Sequence, residues 1–149
     1  MIQRFYIDTS VIGGVFDIEF AEHSTILMER VKLKQIKIVI SNVTEREIMK
    51  ARKEIRNFYT AIPQEFVEFV ELTPDAITLA ETYIKEKVVG ETHIDDCLHI
   101  AMATIHNVDI LVSWNFKHIV NIYRIRGYNS VNLKLGYKPL EIRSPKEII

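Results

Sequence analysis

The sequence predicts an α/β protein with a mainly parallel sheet that is covered by helices on both sides. Two observations lead to this class. Short β-branched or aromatic runs alternate along the chain with longer segments in which apolar residues recur at helical spacing. Each of the first four predicted strands is followed by a helix-length segment, and connections of that length join parallel strands rather than hairpin strands. Sites in such sheets form at the carboxyl ends of the strands.

The individual elements follow from the same patterns. Strands are predicted at residues 4–7, 36–40, 66–72, 109–113 and 140–142. Helices are predicted from Phe20 to Leu33, across residues 41–59, from Pro74 to about Val88, across residues 92–107, and from Phe116 to Leu135 with an interruption near Gly127. Gly13 and Gly14 are expected to break the chain after the first strand.

Composition predicts one domain across residues 1–149, with a single core. Of the 149 residues 48% are hydrophobic, and glycine (5) and proline (4) are scarce, which argues against disorder. The 19 basic residues nearly balance the 20 acidic ones, so a polyanion would need a local basic patch. Cys97 is the only cysteine, which excludes an internal disulfide. Without a signal-peptide pattern or an apolar run of about 18 residues, no membrane association and a cytoplasmic location are expected.

Asp8 directly follows the first predicted strand. A carboxylate at the end of a buried strand must be solvated, cap a helix or coordinate a cation, because burying an unpaired charge is costly. The alternative to a functional role is that Asp8, Thr9 or Ser10 caps the next helix.

The fourth predicted helix opens with two aspartates that face different ways. Thr92 and Asp95 have the spacing of a capping box, and Asp95 shares a face with His99 and His106. We interpret that face as a polar helix edge. Asp96 lies instead on the apolar face, so its carboxylate should stand at the mouth of the core beside the strand ends. Asp96 is therefore the better candidate ligand.

The second predicted helix offers two glutamates. Asn42 and Glu45 can form a capping pair, whereas Glu47 lies one turn after Val43 on a less exposed strip. Glu47 should therefore point inward. A solvated helix face is the alternative for either glutamate.

Asp8, Glu47 and Asp96 would converge on one edge of the sheet, where three carboxylates repel one another unless a cation lies between them. Ligand sets made only of oxygen select hard ions, so Mg²⁺ or Mn²⁺ is the expected cofactor. Such an ion suits phosphodiester chemistry, because it lowers the pKa of a bound water and neutralises charge on the phosphate.

Four motifs occur in a particular order along the chain. They are Asp8-Thr9-Ser10 after a strand, Ser41-x-x-Thr44-x-x-Glu47 opening a helix, Asp96-Cys-Leu-His-Ile-Ala-Met-Ala, and Leu111-Val-Ser-Trp-Asn115-Phe. Their order and spacing resemble PIN-domain proteins, including the VapC-type toxin nucleases, over nearly the whole chain. The resemblance implies a three-layer α/β/α sandwich, metal-dependent cleavage of RNA and frequent homodimers. For the VapC-like branch it also implies a separately encoded antitoxin as partner.

By matching position, the resemblance gives Asp8, Glu47 and Asp96 the metal-binding and catalytic roles. Asn115 falls at a further catalytic position, where many members carry a fourth acid. Asparagine offers a carbonyl oxygen but no charge, so we expect one firmly bound ion rather than two.

The leading interpretation is therefore an endoribonuclease that acts as the toxin of a type II toxin–antitoxin pair. The alternative is a catalytically impaired PIN fold that binds RNA or a protein partner. A phosphotransfer domain with Asp8 as nucleophile ranks last, because Ser10 stands where a second aspartate would be needed.

A basic run close to Glu47 is the predicted RNA-binding surface, since RNA backbone would pass it on the way to the metal. Its members are Lys50, Arg52, Lys53 and Arg56, with Arg46 beside them and Arg124, Arg126, Lys134 and Lys138 as an extension. A solvated helix face of mixed charge is the alternative. Trp114 could stack on a base, and His118 could contact phosphate, although packing is the more common role for each.

Overall fold

The computed structural model describes residues 1–149. Its five strands are β1 (Gln3–Ile7), β2 (Ile36–Ser41), β3 (Val67–Val70), β4 (Ile110–Val112) and β5 (Ile142–Arg143). Its eight helices are α1 (Thr9–Gly14), α2 (Ala21–Lys32), α3 (Asn42–Met49), α4 (Lys53–Ala61), α5 (Pro74–Lys85), α6 (Ile94–Ile105), α7 (Ile122–Lys134) and α8 (Pro145–Ile148). None of these helices is both long and apolar enough to cross a membrane.

All five strands run parallel in one sheet, in the order β3-β2-β1-β4-β5. The first strand of the chain lies at the centre, where Phe5 is in register with Ile38 of β2 and with Ile110 of β4. Parallel pairs require long crossover connections, and the helices supply them. The predicted fold class is confirmed, and the carboxyl ends of β1, β2 and β4 meet at one edge of the sheet.

The two faces of the sheet carry separate hydrophobic cores. One core of 22 buried residues lies beneath α5, α6 and α7, and another of 13 lies beneath α1, α2 and α4. β1 contributes to both because side chains alternate along a strand: Tyr6 enters the larger core, and Phe5 and Ile7 enter the smaller one. The result is the three-layer arrangement that the family resemblance implied.

Arg4 fastens the amino-terminal end of β1 to two other elements. Its guanidinium donates to both carboxylate oxygens of Glu68 on β3, at 2.9 and 2.6 Å. It also donates to the carbonyls of His106 and Asn107 at the end of α6, at 3.1 and 3.2 Å. Carbonyls at a helix end lack intrahelical partners and carry partial negative charge, so the cation suits both neighbours.

The helix predicted across residues 41–59 is in fact two helices. α3 ends at Met49, and α4 starts at Lys53 after an extended Arg52 with φ −58° and ψ 153°. The change of direction lets Ile55 of α4 pack into the smaller core. Because no glycine or proline marks the break, tertiary packing rather than local sequence decides it.

Two expectations based on glycine are wrong. Gly13 and Gly14 form the end of α1, and α7 continues without interruption through Gly127. A Cβ at Gly14 would lie 2.5 Å from the Ser24 Oγ, and one at Gly127 would lie 2.7 Å from a methyl group of Val88. Gly14 and Gly127 are therefore needed for the close approach of neighbouring elements, not for a turn.

Candidate active site

Asp8 lies at the carboxyl end of β1 and is almost completely buried. Its carboxylate accepts hydrogen bonds from the hydroxyls of Ser10 at 2.6 Å and Ser113 at 2.7 Å. It occupies the N-cap position of α1 but makes no capping hydrogen bond, so capping does not explain it. Burial raises the pKa of Asp8, with a smaller contribution from the charge of Glu47, and the two hydroxyls act in the opposite direction.

Glu47 points inward from α3, as predicted. Its Oε1 accepts a hydrogen bond from the Thr9 hydroxyl at 2.8 Å and lies 2.7 Å from the Nε2 of His99. Burial opposes ionisation of Glu47, but the contact with His99 outweighs it and lowers the pKa of the carboxyl. Glu47 is therefore held as an anion.

Asp96 stands on the first turn of α6, with a side chain 20% exposed. The Asn115 amide donates to its Oδ1 at 3.3 Å, and the His93 Nδ1 lies 3.8 Å from its Oδ2. Burial raises the pKa of Asp96, and the negative charges of Asp8 and Glu47 raise it further. The three predicted acids are thus electrostatic neighbours at one edge of the sheet.

The carboxylates of Asp8, Glu47 and Asp96 are not arranged as a complete set of metal ligands. No three acidic, histidine or cysteine side chains in residues 1–149 are placed to hold one ion together. Glu47 is turned toward Thr9 and His99, and Asp8 toward serine hydroxyls. The donor chemistry nevertheless fits a hard divalent cation, because all three groups offer oxygen and a cation would relieve the repulsion that raises the pKa of Asp96.

His99 is the site residue that sequence reasoning missed, because it was assigned to a polar helix edge. Its side chain is 1% exposed, and its Nδ1 lies 2.7 Å from the Tyr6 hydroxyl. That hydroxyl also lies 2.7 Å from the Ser41 Oγ. The available signal was spacing, since His99 is three residues after Asp96 and so lies on the same side of α6.

Two capping assignments are corrected by the structure. The capping box of α3 is formed by Ser41 and Thr44. Asn42 and Glu45, predicted as the capping pair, instead accept hydrogen bonds from the Leu72 amide and the Tyr59 hydroxyl, at 2.6 and 2.9 Å.

Asp95 does not form a capping box with Thr92 either. Its Oδ1 lies 2.8 Å from a guanidinium nitrogen of Arg46 on α3. α6 has no capping side chain at its N-terminus. Asp95 is structural, as expected, but through an ion pair.

The segment after β4 supplies the fourth position. The Asn115 side-chain oxygen accepts from the backbone amides of Lys117 and His118, so it shapes this loop while its amide reaches Asp96. Trp114 is buried, with its ring stacked on Phe20 and its Nε1 donating to Ser24. Trp114 therefore packs and is not available to a base.

The predicted RNA-binding residues lie near the end of α3 and on α4. Three basic side chains here already have partners: Arg46 binds Asp95, Arg52 lies 3.0 Å from Glu54, and Arg56 donates to the Ala51 carbonyl. Lys50 and Lys53 are exposed and belong to no ion pair. RNA binding by Lys50, Arg52, Lys53 and Arg56 stays a prediction.

No protein-family model and no curated protein matches the sequence. Solved structures do match the fold. A chain of FitAcB from Neisseria gonorrhoeae superposes with a TM-score of 0.61 at 10% identity, covering 95% of this chain and 98% of that one. A chain of VapBC2 from Rickettsia felis, bound to a DNA fragment from their promoter, superposes with a TM-score of 0.59 at 14% identity and 95% and 98% coverage.

A toxin–antitoxin complex from Klebsiella pneumoniae is a third neighbour, with a TM-score of 0.56, 18% identity, and coverage of 75% of this chain and 87% of that one. The likeness extends over nearly the full length of the first two structures. It confirms the PIN-like fold that the four motifs predicted. Since fold alone does not determine activity, the function has to be argued from the site.

Proposed function

We propose that the chain is a divalent-metal-dependent endoribonuclease. The observation that carries the proposal is that Asp8, Glu47 and Asp96 come from three separate elements and act on one another electrostatically at the carboxyl edge of one parallel sheet. They lie close enough that the charges of Asp8 and Glu47 raise the pKa of Asp96, in addition to the effect of burial. Such a cluster favours a bound cation, and its oxygen donors favour Mg²⁺ or Mn²⁺.

Asp8, Glu47 and Asp96 would hold the ion, and neighbouring side chains would orient them. Ser10 and Ser113 fix the Asp8 carboxylate. A divalent ion bound here supplies a water of lowered pKa and offsets negative charge on the phosphate.

Two further residues are positioning residues that act through the ligands. His99 holds Glu47, with 2.7 Å between the Nε2 and the carboxylate oxygen. Asn115 contacts Asp96 through its amide. Asn115 adds no negative charge, which is consistent with a single firmly bound ion.

Asp95 provides a matched control for the test of this proposal, because it is adjacent to Asp96 on α6 but pairs with Arg46. Asp96→Asn should lower cleavage of a mixed RNA pool, with Mg²⁺ or Mn²⁺ present, by roughly 100-fold or more, since it removes one charged ligand. Asp95→Asn should retain activity near that of the wild type. Asp8→Asn should behave like Asp96→Asn, and chelation should abolish cleavage by the wild type.

Equal activity in the wild type and Asp96→Asn would show that cleavage comes from another site or a contaminant. Binding of the ion can be followed separately by calorimetry with Mn²⁺. The wild type should bind one equivalent, and Asp96→Asn should bind much more weakly.

We extend the proposal to a toxin role with an antitoxin partner. Support comes from the fold neighbours, which include a toxin–antitoxin complex from Klebsiella pneumoniae and chains of VapBC2 and FitAB, each bound to a DNA fragment. A short reading frame beside the gene should encode a protein that co-purifies with this chain and suppresses its cleavage of RNA. Light scattering of the purified chain should give the mass of a homodimer, and fractionation should place it in the cytoplasm.

A catalytically impaired PIN fold is the second candidate. Two observations favour it: Asn115 replaces an acid, and the carboxylates do not form a three-ligand group as they stand. This candidate predicts RNA or protein binding that chelators do not affect and no cleavage of any RNA pool. The same assays therefore separate the two candidates.

A further inference from the structure

A basic pocket lies on the face of the sheet that α5, α6 and α7 cover. It is a cavity of about 520 Å³ between the end of α5 and the start of α7. Its lining includes Lys85, Lys87 and Arg124, against one acidic residue, Glu91. None of these three cations belongs to any ion pair of the chain.

Such a concentration of free positive charge stands out in a chain whose formal net charge is −1. Glu86, which lies between Lys85 and Lys87 in sequence, forms an ion pair with Lys134 at 3.0 Å. Arg124 is anchored because one guanidinium nitrogen donates to the Val88 carbonyl, and its other nitrogens have no protein partner. The pocket thus presents one anchored, half-buried arginine and two exposed lysines.

His93 and His118 connect this pocket to the acidic edge. Their rings are stacked, with centroids 3.6 Å apart, and the His93 Nδ1 lies 3.8 Å from Asp96. Burial lowers the pKa of His118, and the positive charges of His93, Lys117 and Arg124 lower it further. Glu91 of the pocket lies in one short turn with His93, so the histidine stack is next to both the pocket and Asp96.

The acidic edge alone would repel a polyanion, so a substrate with phosphates needs compensating positive charge close by. On the surface formed by the end of α3 and by α4, Arg46 and Arg52 are paired with carboxylates and Arg56 is half-buried against the Ala51 carbonyl, which leaves Lys50 and Lys53 as the free cations. The pocket offers three cations without carboxylate partners and reaches the edge through the histidine stack. Lys and Arg side chains of this kind bind phosphates without reading sequence.

We infer that the pocket formed by Lys85, Lys87 and Arg124, with Lys117 and the His93–His118 stack, binds backbone phosphates of a single-stranded RNA whose reacting phosphate lies at the acidic edge. This inference rests on the proposed ribonuclease function and adds the path of the substrate. It assigns the main RNA-binding role to α5 and α7 rather than to α3 and α4.

The test compares two pairs of substitutions that remove the same charge. Binding of a fluorescent single-stranded RNA of roughly 12 nucleotides is measured by anisotropy in EDTA, at several salt concentrations. Lys87→Gln with Arg124→Gln should weaken binding about tenfold and make the slope of log affinity against log salt about 1.4 less negative, from two lost phosphate contacts. Lys50→Gln with Lys53→Gln should change both quantities little.

Arg124 also bonds to backbone, so a second pocket variant guards against loss of folding. Lys85→Gln with Lys117→Gln removes two side chains that make no hydrogen bond in the structure, and it should reproduce the change in salt slope with an unchanged melting temperature. A salt slope that stays at the wild-type value in both pocket variants overturns the inference. An equal loss in the Lys50 and Lys53 variant overturns it too, because general positive charge would then suffice.

Failure of the inference and failure of the proposed function are distinguishable. If the wild type cleaves no RNA but its RNA binding depends on the pocket, the inferred phosphate path is retained and the proposed nuclease function is rejected. If the wild type cleaves RNA with a metal ion but its RNA binding does not depend on the pocket, only the inferred path is rejected. If backbone phosphates are the ligand, inorganic phosphate should compete weakly with RNA for the pocket. If the pocket variants lose antitoxin binding but keep RNA binding, the surface binds a protein and the inference is overturned.

Discussion

The Nε2 of His99 lies 2.7 Å from a carboxylate oxygen of Glu47, and this contact joins α6 to α3 beneath the acidic edge. The other ring nitrogen is 2.7 Å from the Tyr6 hydroxyl on the central strand. Glu47 is thereby fixed to the core by a buried series of hydrogen bonds. Chains of this kind are stabilising only when every member has a partner.

Tyr6→Phe should test this chain while keeping the ring that packs in the larger core. The substitution leaves the His99 Nδ1 without a partner and removes one of the two partners of the Ser41 Oγ, which still accepts from the Val43 amide. The free energy of unfolding should therefore fall by about 1–2 kcal/mol. Urea denaturation followed by circular dichroism measures the change. Tyr123→Phe, at a tyrosine that is 78% exposed, is the control and should be neutral. Equal stability of Tyr6→Phe and wild type would mean that the hydrogen bonds of the Tyr6 hydroxyl contribute nothing to the free energy of unfolding.

Gly14→Ala should destabilise the protein, because the new Cβ would meet Ser24 at 2.5 Å and the Trp114 Nε1 at 2.7 Å. Overpacking of this kind costs about 1–3 kcal/mol. Gly90→Ala is the matched control, since its nearest neighbour would be 4.0 Å away. Thermal melts should show a lower melting temperature for Gly14→Ala and no decrease for Gly90→Ala; similar melting temperatures would contradict the packing described here.

Glu68→Gln should weaken the protein in a manner that depends on pH. The hydrogen bonds from Arg4 lower the pKa of Glu68 below its usual value of 4.5. A carboxyl whose folded pKa is depressed stabilises the fold above its unfolded pKa, and the contribution disappears as pH falls through the folded pKa. The variant should therefore be less stable at pH 7 by about 0.5–1 kcal/mol, a small value because both side chains are partly exposed.

That stability difference should narrow as the pH is lowered below 4.5 and vanish once Glu68 is protonated. Urea titrations of the wild type and Glu68→Gln across this range measure it. A difference that is constant with pH would show that the substitution acts through packing and not through charge.

Cys97 should be almost unreactive in the folded protein. Burial, and then the neighbouring Asp96 carboxylate, raise the pKa of the thiol to about 12. Because the thiolate is the nucleophile, alkylation by iodoacetamide at pH 8 should be roughly 1000-fold slower than in the unfolded chain from ionisation alone. Mass spectrometry with and without urea measures the ratio, and comparable rates would contradict burial of the thiol.

The elements that sequence predicted well are those in which local pattern and tertiary role agree. β1, β2 and β4 are short apolar runs because both of their faces are covered, and this pattern is legible without a structure. Asp8 was predicted from the same pattern, because a carboxylate at the end of a buried apolar strand is not explained by burial. The inward direction of Glu47 followed from its place on the helix.

The errors have a common physical cause, which is packing between elements distant in sequence. Gly127 looked like a helix breaker, but its missing side chain accommodates Val88. His99 looked like an edge residue because its partners, Tyr6 and Glu47, come from other parts of the chain. The break between α3 and α4 likewise depends on where Ile55 is buried.

The central place of β1 has a consequence for protein synthesis. Asp8 accepts a hydrogen bond from Ser113, which is 105 residues away, and β1 acquires its neighbour β4 from the same late segment. Contacts between residues so far apart in sequence slow folding. Until β4 is synthesised, β1 of the nascent chain has only one of its two neighbouring strands. A ribosome-bound chain that stops before β4 thus carries all three acids but has neither a complete sheet nor the Ser113 hydroxyl that fixes Asp8, so any activity of the site begins only after β4 and Ser113 have been synthesised.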